Sequence, residues 1–224
     1  GVPIVKDLAY LSTFEDDFEE LAVFGEIKYH ITDNWQVTGG ARWFDHDYSV
    51  DETGGLMFVP DFVVSTSSST SDSDSIYKLN SSYSFAEDHQ VYATWSEGYR
   101  RGGANALGPF GTPETSTYAP DTIENREIGL KGVFNGRIEY TLAYYDIEWN
   151  DVQTVSGACS PLALICYVTA GDAESKGVEA EITAQVTDGF RINIGYTYTD
   201  ASFTDVSPFV AQTTGVMPGD PLPG

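Results

Sequence analysis

The chain has 224 residues, and its 34 acidic against 11 basic side chains give a formal net charge of −23 at pH 7. This charge argues against a nucleic-acid partner, because phosphate binding needs clustered lysines and arginines. Hydrophobic residues make up 41% and aromatic residues 13% of the chain, which excludes disorder for most of it. No apolar run approaches the ~20 residues of a membrane-spanning helix, which excludes a helical membrane protein but not a membrane β-barrel.

The first predicted element is a β-hairpin near the N-terminus. From Leu21 to Ile31 apolar side chains occupy every second position, and polar residues such as Glu26 and Lys28 lie between them. After the turn at residues 32–34, the same alternation resumes over Trp35–Trp43. A period of two on both sides of a short turn predicts two antiparallel strands.

Three further hairpins follow along the chain, each with the same alternation around a turn of a few residues. They comprise Tyr77–Phe85 with Val91–Trp95, Ile128–Phe134 with Ile138–Tyr144, and Val178–Val186 with Phe190–Tyr198. The sequence therefore predicts an all-β, antiparallel fold of about eight strands in four hairpins.

The connections between hairpins are much longer than the turns within them. They cover about Asp45–Ser75, Arg100–Asp121 and Asn150–Asp172, and all three fall at the same end of the predicted sheet. Soluble domains seldom carry several structureless loops beyond ~12–15 residues. Short turns on one rim and long loops on the other are typical of an outer-membrane β-barrel, with the short turns on the periplasmic side.

The distribution of side chains along the strands supports this interpretation. The apolar positions of the eight strands contain no charged residue, as expected of a surface that contacts lipid. Aromatic residues cluster at two levels, where we expect lipid–water interfaces. The level beside the short turns contains Tyr29, Trp35, Phe85, Phe134 and Phe190, and the level at the loop ends contains Trp43, Tyr77, Trp95, Tyr144 and Tyr198. A soluble carbohydrate-binding β-sandwich, with these rings in its core, is the alternative.

Several motifs resemble one known family. Residues 95–105, WSEGYRRGGAN, followed by residues 118–134, YAPDTIENREIGLKGVF, resemble the central barrel of TonB-dependent outer-membrane receptors. Residues 173–182, AESKGVEAEI, are similar to a later strand of the same barrel, and residues 21–29 and 39–43 are similar to its mid-barrel hairpins. The resemblance covers nearly the whole chain from about residue 20.

The resemblance implies a plug domain, a box that contacts TonB and about 22 strands in a complete receptor. We therefore interpret residues 1–224 as an interior part of the barrel domain, without the plug and the C-terminal strands. A small self-closed barrel of eight strands is the lesser interpretation.

The resemblance also implies the function, which is uptake of a scarce nutrient across the Gram-negative outer membrane, energised by TonB through the plug. The expected ligand is a ferric siderophore, with vitamin B12, sugars or aromatic compounds as alternatives. The expected partners are thus the TonB complex, the small-molecule ligand and outer-membrane lipid, and no cofactor is predicted. A passive porin or a small structural barrel is the alternative function.

The two cysteines lie close together in the third long connection. Cys159 and Cys166 are the only cysteines of the chain, and an outer rim is an oxidising environment. This spacing predicts a loop disulfide. The alternative is a pair of free or metal-binding thiols, although no further Cys or nearby His completes a tetrahedral set.

The best ligand-binding candidates lie at the base of the second long connection. Arg100 and Arg101, with Tyr99 and Asn105 close by, form a rare concentration of basic charge in this acidic chain. Paired arginines at the mouth of a lumen are suited to a carboxylate or a catecholate. The alternative is that they pair with the acidic residues of the rim.

The sequence gives little support for an enzyme. The three histidines lie in different hairpins, and no hydrolase, zinc-protease or phosphate-binding motif is present. Glu179 and Glu181 share a strand face, where we expect lumen-lining groups. Asp72 and Asp74 have spacing that could hold Ca²⁺ weakly, but a solvated loop tip is the preferred interpretation. We therefore predict no catalytic residue and no metal site.

Overall fold

The computed structural model describes residues 10–56, 63–107, 111–159 and 165–222. Its main element is one antiparallel sheet, whose eight strands are neighbours in chain order. These strands are β1 (Tyr10–Thr32), β2 (Trp35–Leu56), β3 (Val63–Ala86), β4 (His89–Arg100), β7 (Asp121–Phe134), β8 (Ile138–Asn150), β11 (Ala173–Thr187) and β12 (Phe190–Phe203). The prediction of an all-β fold with eight strands in four hairpins is confirmed.

The smaller elements lie between or after these strands. They are β5 (Gly103–Ala104), α1 (Pro113–Ser116), β6 (Thr117–Tyr118), β9 (Gln153–Ser156), β10 (Cys166–Thr169) and α2 (Pro208–Thr214). β5 pairs with β6 and β9 pairs with β10, so the other described sheets have only two strands each. A β-sandwich needs two facing sheets of several strands, and the described residues form no second sheet of that size.

The turns within the hairpins follow from their residues. Asn135 and Gly136 have φ angles of 52° and 62°, so both occupy the left-handed region. This geometry matches the twist of two antiparallel strands, and Asn-Gly adopts it readily. In the first turn, the hydroxyl of Thr32 accepts hydrogen bonds from the backbone N–H groups of Asn34 and Trp35.

The two faces of the sheet differ as the alternation predicts. The apolar face exposes Leu21, Ile27, Leu79, Ile128 and Leu142, each at least 46% accessible. Large aliphatic side chains this exposed on every hairpin are explained by contact with lipid. The opposite face carries the polar residues and lies toward the predicted lumen.

The predicted loop at Asp45–Ser75 is wrong for most of its length. β2 continues to Leu56 and β3 begins at Val63, and the two strands pair in register from Gly55↔Val63 to Trp35↔Tyr83. The Ser/Thr-rich tract at residues 65–75 resembles a low-complexity loop because its side chains are polar on both faces of the strand. Outside the lipid zone, backbone hydrogen bonds between neighbouring strands stabilise a strand that has no apolar face. The β-branched threonines also favour the extended conformation.

The acidic run at residues 15–20 is part of a strand. It lies within β1 and pairs with the outer half of β2, from Glu15↔Asp51 to Glu20↔His46. Asp72 and Asp74 likewise lie on β3 rather than at a loop tip. The first three strands therefore extend as a long polar sheet beyond the predicted lipid zone.

The other two long connections form a compact cap on the same rim. Buried residues from both connections, from the start of β11, from the end of β12 and from α2 make one hydrophobic cluster. Its members are Leu107, Val152, Cys159, Cys166, Val168, Ala170, Ala173, Phe203 and Val210. We call this cluster the cap core. The sequence predicts these connections as structureless, but they contribute six of the nine residues of the cap core.

The sheet is open within the described residues. β1 and β12 are its two edges, and β12 is exposed on both faces from Phe190 to Asp200. After α2 the chain turns back, and Pro221 forms an antiparallel bridge with Ser202 at the outer end of β12. No helix within the described ranges is long and apolar enough to span a membrane.

Candidate functional site

The candidate site begins where β3 and β4 separate. Their pairing extends from the short turn to Lys78↔Ser96, and beyond this point β4 continues along β7 alone. The side chain of Tyr99 fills the gap, and its ring centroid lies 4.3 Å from that of Phe44. Phe44 is only 2% exposed, so the contact anchors the end of β4 over the inner face of β2.

The hydroxyl of Tyr99 is part of a polar group between three strands. It donates to Oδ2 of Asp72 at 3.1 Å and lies 3.4 Å from Nε2 of the buried His46. Burial raises the pKa of this phenol, and the negative charge of Asp72 and the hydrogen bond to it raise the pKa further. Tyr99 is therefore a neutral hydrogen-bond donor at physiological pH.

Arg101 lies over two neighbouring aromatic rings. Its guanidinium carbon lies 4.7 Å from the ring centroid of Phe18 and 4.6 Å from that of Tyr48. These are cation–π distances. Nη1 of Arg101 is buried and has no hydrogen-bond partner, and none of the described carboxylates forms an ion pair with this arginine. The side chain is thus held in place while part of its hydrogen-bonding capacity remains unused.

Tyr99 and Arg101 line one cavity of 310 Å³. Its other lining residues are Glu20, Arg42, Phe44 and Ile76. Arg42 and Glu20 form an ion pair of 2.5 Å, so their charges offset each other. The remaining positive charge at the cavity belongs to Arg101. Such a site suits an anionic group attached to an apolar or aromatic body.

Arg100 has a different environment from its neighbour. Its guanidinium forms an ion pair with Asp121, which is 3% exposed and also accepts a 3.1 Å hydrogen bond from Nε1 of Trp149. Arg100 also lies over the Trp149 ring, 5.7 Å from its centroid. This arrangement corresponds to the alternative in which an arginine pairs with an acid of the rim.

Asn105 joins the two cap connections and does not line the cavity. Its Nδ2 donates to the carbonyl oxygens of Thr115 at 2.9 Å and Tyr167 at 2.7 Å, and its Oδ1 accepts from the Tyr167 N–H at 2.9 Å. All the polar atoms of this amide are engaged with backbone. The structure thus brings Tyr99 and Arg101 together and gives Arg100 and Asn105 structural partners.

Cys159 and Cys166 are bonded to each other in the structure, with their Cα atoms 6.0 Å apart. Both are at most 3% exposed and belong to the cap core. Within the described ranges, no group of three or more His, Cys, Asp or Glu side chains is arranged to hold a metal ion. Glu179 and Glu181 line a pocket on the inner face of β11.

Sequence reasoning missed the residues of β1 and β2 that complete the site. Phe18, Phe44 and Tyr48 occupy the polar phase of their strands, where an aromatic residue is unexpected. At Phe44 that irregularity is a usable signal, because an apolar ring on a lumen-facing position needs a partner. Only Phe44 directly continues a predicted strand, whereas Phe18, Tyr48, His46 and Asp72 lie outside the predicted strands and carry no such signal.

Comparisons with known proteins agree with this architecture. Residues 4–224 match a family model described as TonB dependent receptor-like, beta-barrel. The chain is 26% identical over 189 residues to the pesticin receptor of Yersinia enterocolitica, covering 84% of this chain and 27% of that protein. It is 27% identical over 196 residues to the ferripyoverdine receptor of Pseudomonas aeruginosa, covering 82% and 21%.

A solved structure has the same fold. The chain superposes on the ferric yersiniabactin uptake receptor of Yersinia pestis with a TM-score of 0.74 and 21% identity. The match covers 88% of this chain and 29% of the other. The chain therefore spans between a fifth and a third of the length of these matched proteins.

Proposed function

Because the chain belongs to the β-barrel family of TonB-dependent receptors, we propose that it forms part of the wall of a receptor that imports a ferric siderophore. This membership confirms the family and the Gram-negative outer-membrane localisation predicted from the motifs. The open edges at β1 and β12 support the inference that further strands complete the barrel. We infer that a plug domain, through which TonB acts, belongs to the same receptor.

The observation that carries the ligand class is the environment of Arg101. Its guanidinium lies over the rings of Phe18 and Tyr48, lines a cavity and has no paired carboxylate among the described residues. In a chain of net charge −23, an uncompensated arginine at this position favours an anionic ligand. Iron chelators that carry carboxylate or catecholate groups meet this requirement, and the adjacent rings suit their aromatic parts.

The relatives point in the same direction. Two of the matched proteins are named for ferripyoverdine and ferric yersiniabactin, both of which are iron chelates. We propose that the present chain serves the same class of ligand. Its proposed role is transport, without a catalytic step. Tyr99 and Arg101 would contact the ligand, whereas Arg100 and Asn105 would shape the rim.

The test is ligand binding and uptake by the full-length receptor in outer membranes. Ferripyoverdine, ferric yersiniabactin and, as a neutral comparison, cyanocobalamin serve as probes. Replacing Arg101 by Ala should weaken binding of the recognised ferric siderophore roughly 10- to 100-fold, because a charged hydrogen bond is worth about 1.5–3 kcal/mol. Arg191→Ala is the matched control, since Arg191 lies at the opposite rim and is 56% exposed.

Three results would contradict the proposal. Unchanged siderophore affinity in Arg101→Ala would remove this arginine from the site. Binding of cyanocobalamin without either ferric siderophore would exclude the ligand class. Uptake that persists after collapse of the proton-motive force would indicate a passive pore, because only TonB-dependent import needs that energy.

A further inference from the structure

The two cap connections also meet at Gln153, at the start of β9. Its Nε2 donates hydrogen bonds of 2.9 Å to the carbonyl oxygen of Arg101 and of 2.9 Å to that of Ala119. These two carbonyls lie near opposite ends of the connection between β4 and β7. A single amide group therefore ties together the departing and returning parts of that connection.

The two tied segments approach each other very closely. A Cβ atom on Gly102 would lie 2.6 Å from the carbonyl oxygen of Tyr118 and 2.8 Å from the nitrogen of Pro120. β5 and β6 pair immediately beyond this point, at Gly103↔Tyr118. We call this close approach, of residues 101–102 to residues 118–120, the neck of the cap. The Gln153 amide bridges its two sides, and Arg101 is one of its residues.

Gln153 is itself held by its surroundings. Its backbone N–H faces Oδ2 of Asp121 at 3.4 Å, and β9 pairs with β10 at Gln153↔Thr169. The preceding residue, Val152, is 5% exposed and belongs to the cap core with the disulfide-bonded cysteines. The amide therefore projects from a well-packed hairpin toward the carbonyl groups of Arg101 and Ala119, which lie just outside the β5–β6 pairing.

We propose that Gln153 is a positioning residue that holds Arg101 over the rings of Phe18 and Tyr48 at the cavity. The consequence for ligand affinity depends on the proposed function, whereas the tie itself does not. The connection between β8 and β11 acts on the cavity through this side chain, although none of its own side chains lines the cavity. Changes in the disulfide-containing connection would then alter the ligand site indirectly.

The first measurement is hydrogen exchange of the full-length receptor without ligand. Gln153→Leu keeps the size of the side chain and removes both donors, so amides of residues 101–107 and 117–121 should exchange at least about tenfold faster. Gln153→Lys restores a donor of similar reach and should return exchange close to that of the wild type. Gln185→Leu is the matched control, because the side-chain amide of Gln185 donates a hydrogen bond to the carbonyl oxygen of Thr187 at the opposite rim.

The second measurement is the affinity for the ferric siderophore that the wild type binds, in a double-mutant cycle with Arg101→Ala. Gln153→Leu should weaken binding roughly tenfold alone and have little further effect when Arg101 is absent. Equal losses in both backgrounds would overturn the proposal, because Gln153 would then act without Arg101. Unchanged exchange in Gln153→Leu, or loss of exchange protection in the lysine variant, would overturn it as well.

The two measurements also separate this inference from the proposed function. If Arg101→Ala binds the siderophore normally, the ligand assignment fails. In that case the hydrogen-exchange comparison of the leucine and lysine variants still decides whether Gln153 holds the Arg101 segment in place.

Discussion

The hydroxyl of Tyr99 donates a 3.1 Å hydrogen bond to the carboxylate of Asp72 across the gap between β4 and β3. The bond links the end of β4 to a strand with which it no longer pairs. Because the neutral phenol is the donor, the link depends on the protonation of Tyr99. The pKa of this group is raised by burial and by the charge of Asp72, so folding favours its protonated form.

The first prediction concerns alkaline pH. A tyrosine in an unfolded chain has a pKa of about 10, which is below the pKa of Tyr99 in the folded protein. The stabilising effect is therefore complete below pH ~10 and is lost as the pH rises through the higher, folded pKa. The phenolate absorbance of the wild type minus that of Tyr99→Phe should show one group that ionises above the usual range. A difference curve centred near pH ~10 would contradict this prediction.

The second prediction concerns the neck of the cap. Gly102→Ala should destabilise local closure by roughly 1–3 kcal/mol, because the added methyl group overlaps the backbone of Tyr118 and Pro120. Hydrogen exchange of residues 103–107 measures this opening. Gly157→Ala is the control, since nothing lies within 4 Å of the position that its added methyl group would occupy. Equal exchange in the two variants would show that the neck tolerates the methyl group.

The third prediction concerns which face of β8 meets lipid. Leu142 is 46% exposed and lies on the apolar face, whereas its neighbour Thr141 lines the pocket on the inner face. Leu142→Arg should lower the free energy of unfolding of the full-length receptor in lipid vesicles by about 2–4 kcal/mol. Thr141→Arg should cost clearly less. The reverse order, measured by denaturant titration, would mean that the faces are assigned the wrong way round.

The fourth prediction concerns the cysteines. Protein isolated without reductant should show no alkylated cysteine by mass spectrometry, and two alkylated cysteines after unfolding and reduction. Replacing both by Ser should lower local stability of the cap by roughly 2–3 kcal/mol, since the bridge restricts the open loop. Increased hydrogen exchange over residues 152–159 reports this change. Two reactive thiols in the untreated protein would rule out the disulfide.

The strands within the lipid zone were predictable because lipid imposes a pattern on them. Residues 21–31 alternate between apolar and polar because one face of the strand must be apolar. Asn135-Gly136 marks the turn of the third hairpin, because this dipeptide readily adopts the left-handed backbone that the turn requires. Where that constraint ends, the prediction failed. The outer halves of β2 and β3 carry polar residues on both faces, and even the inner face of β2 buries polar side chains such as His46 and Glu52, so no hydrophobic period marks them.

The candidate site was predictable only in part, for a related reason. The arginines stood out as basic residues in an acidic chain, but their separate roles depend on contacts distant in sequence. Arg100 meets Asp121 through strand pairing, and Arg101 meets Phe18 and Tyr48 through folding of the connection onto β1 and β2. Nothing adjacent to either arginine distinguishes the two.

The position of the cap core has a consequence for how the protein comes apart. The wall strands are stabilised by their hydrogen-bond ladder and by lipid, whereas the cap relies on water-driven burial of residues such as Val152, Val168 and Phe203. Urea weakens that burial. Moderate urea should therefore open the cap as a unit while the eight-stranded sheet stays paired in the membrane.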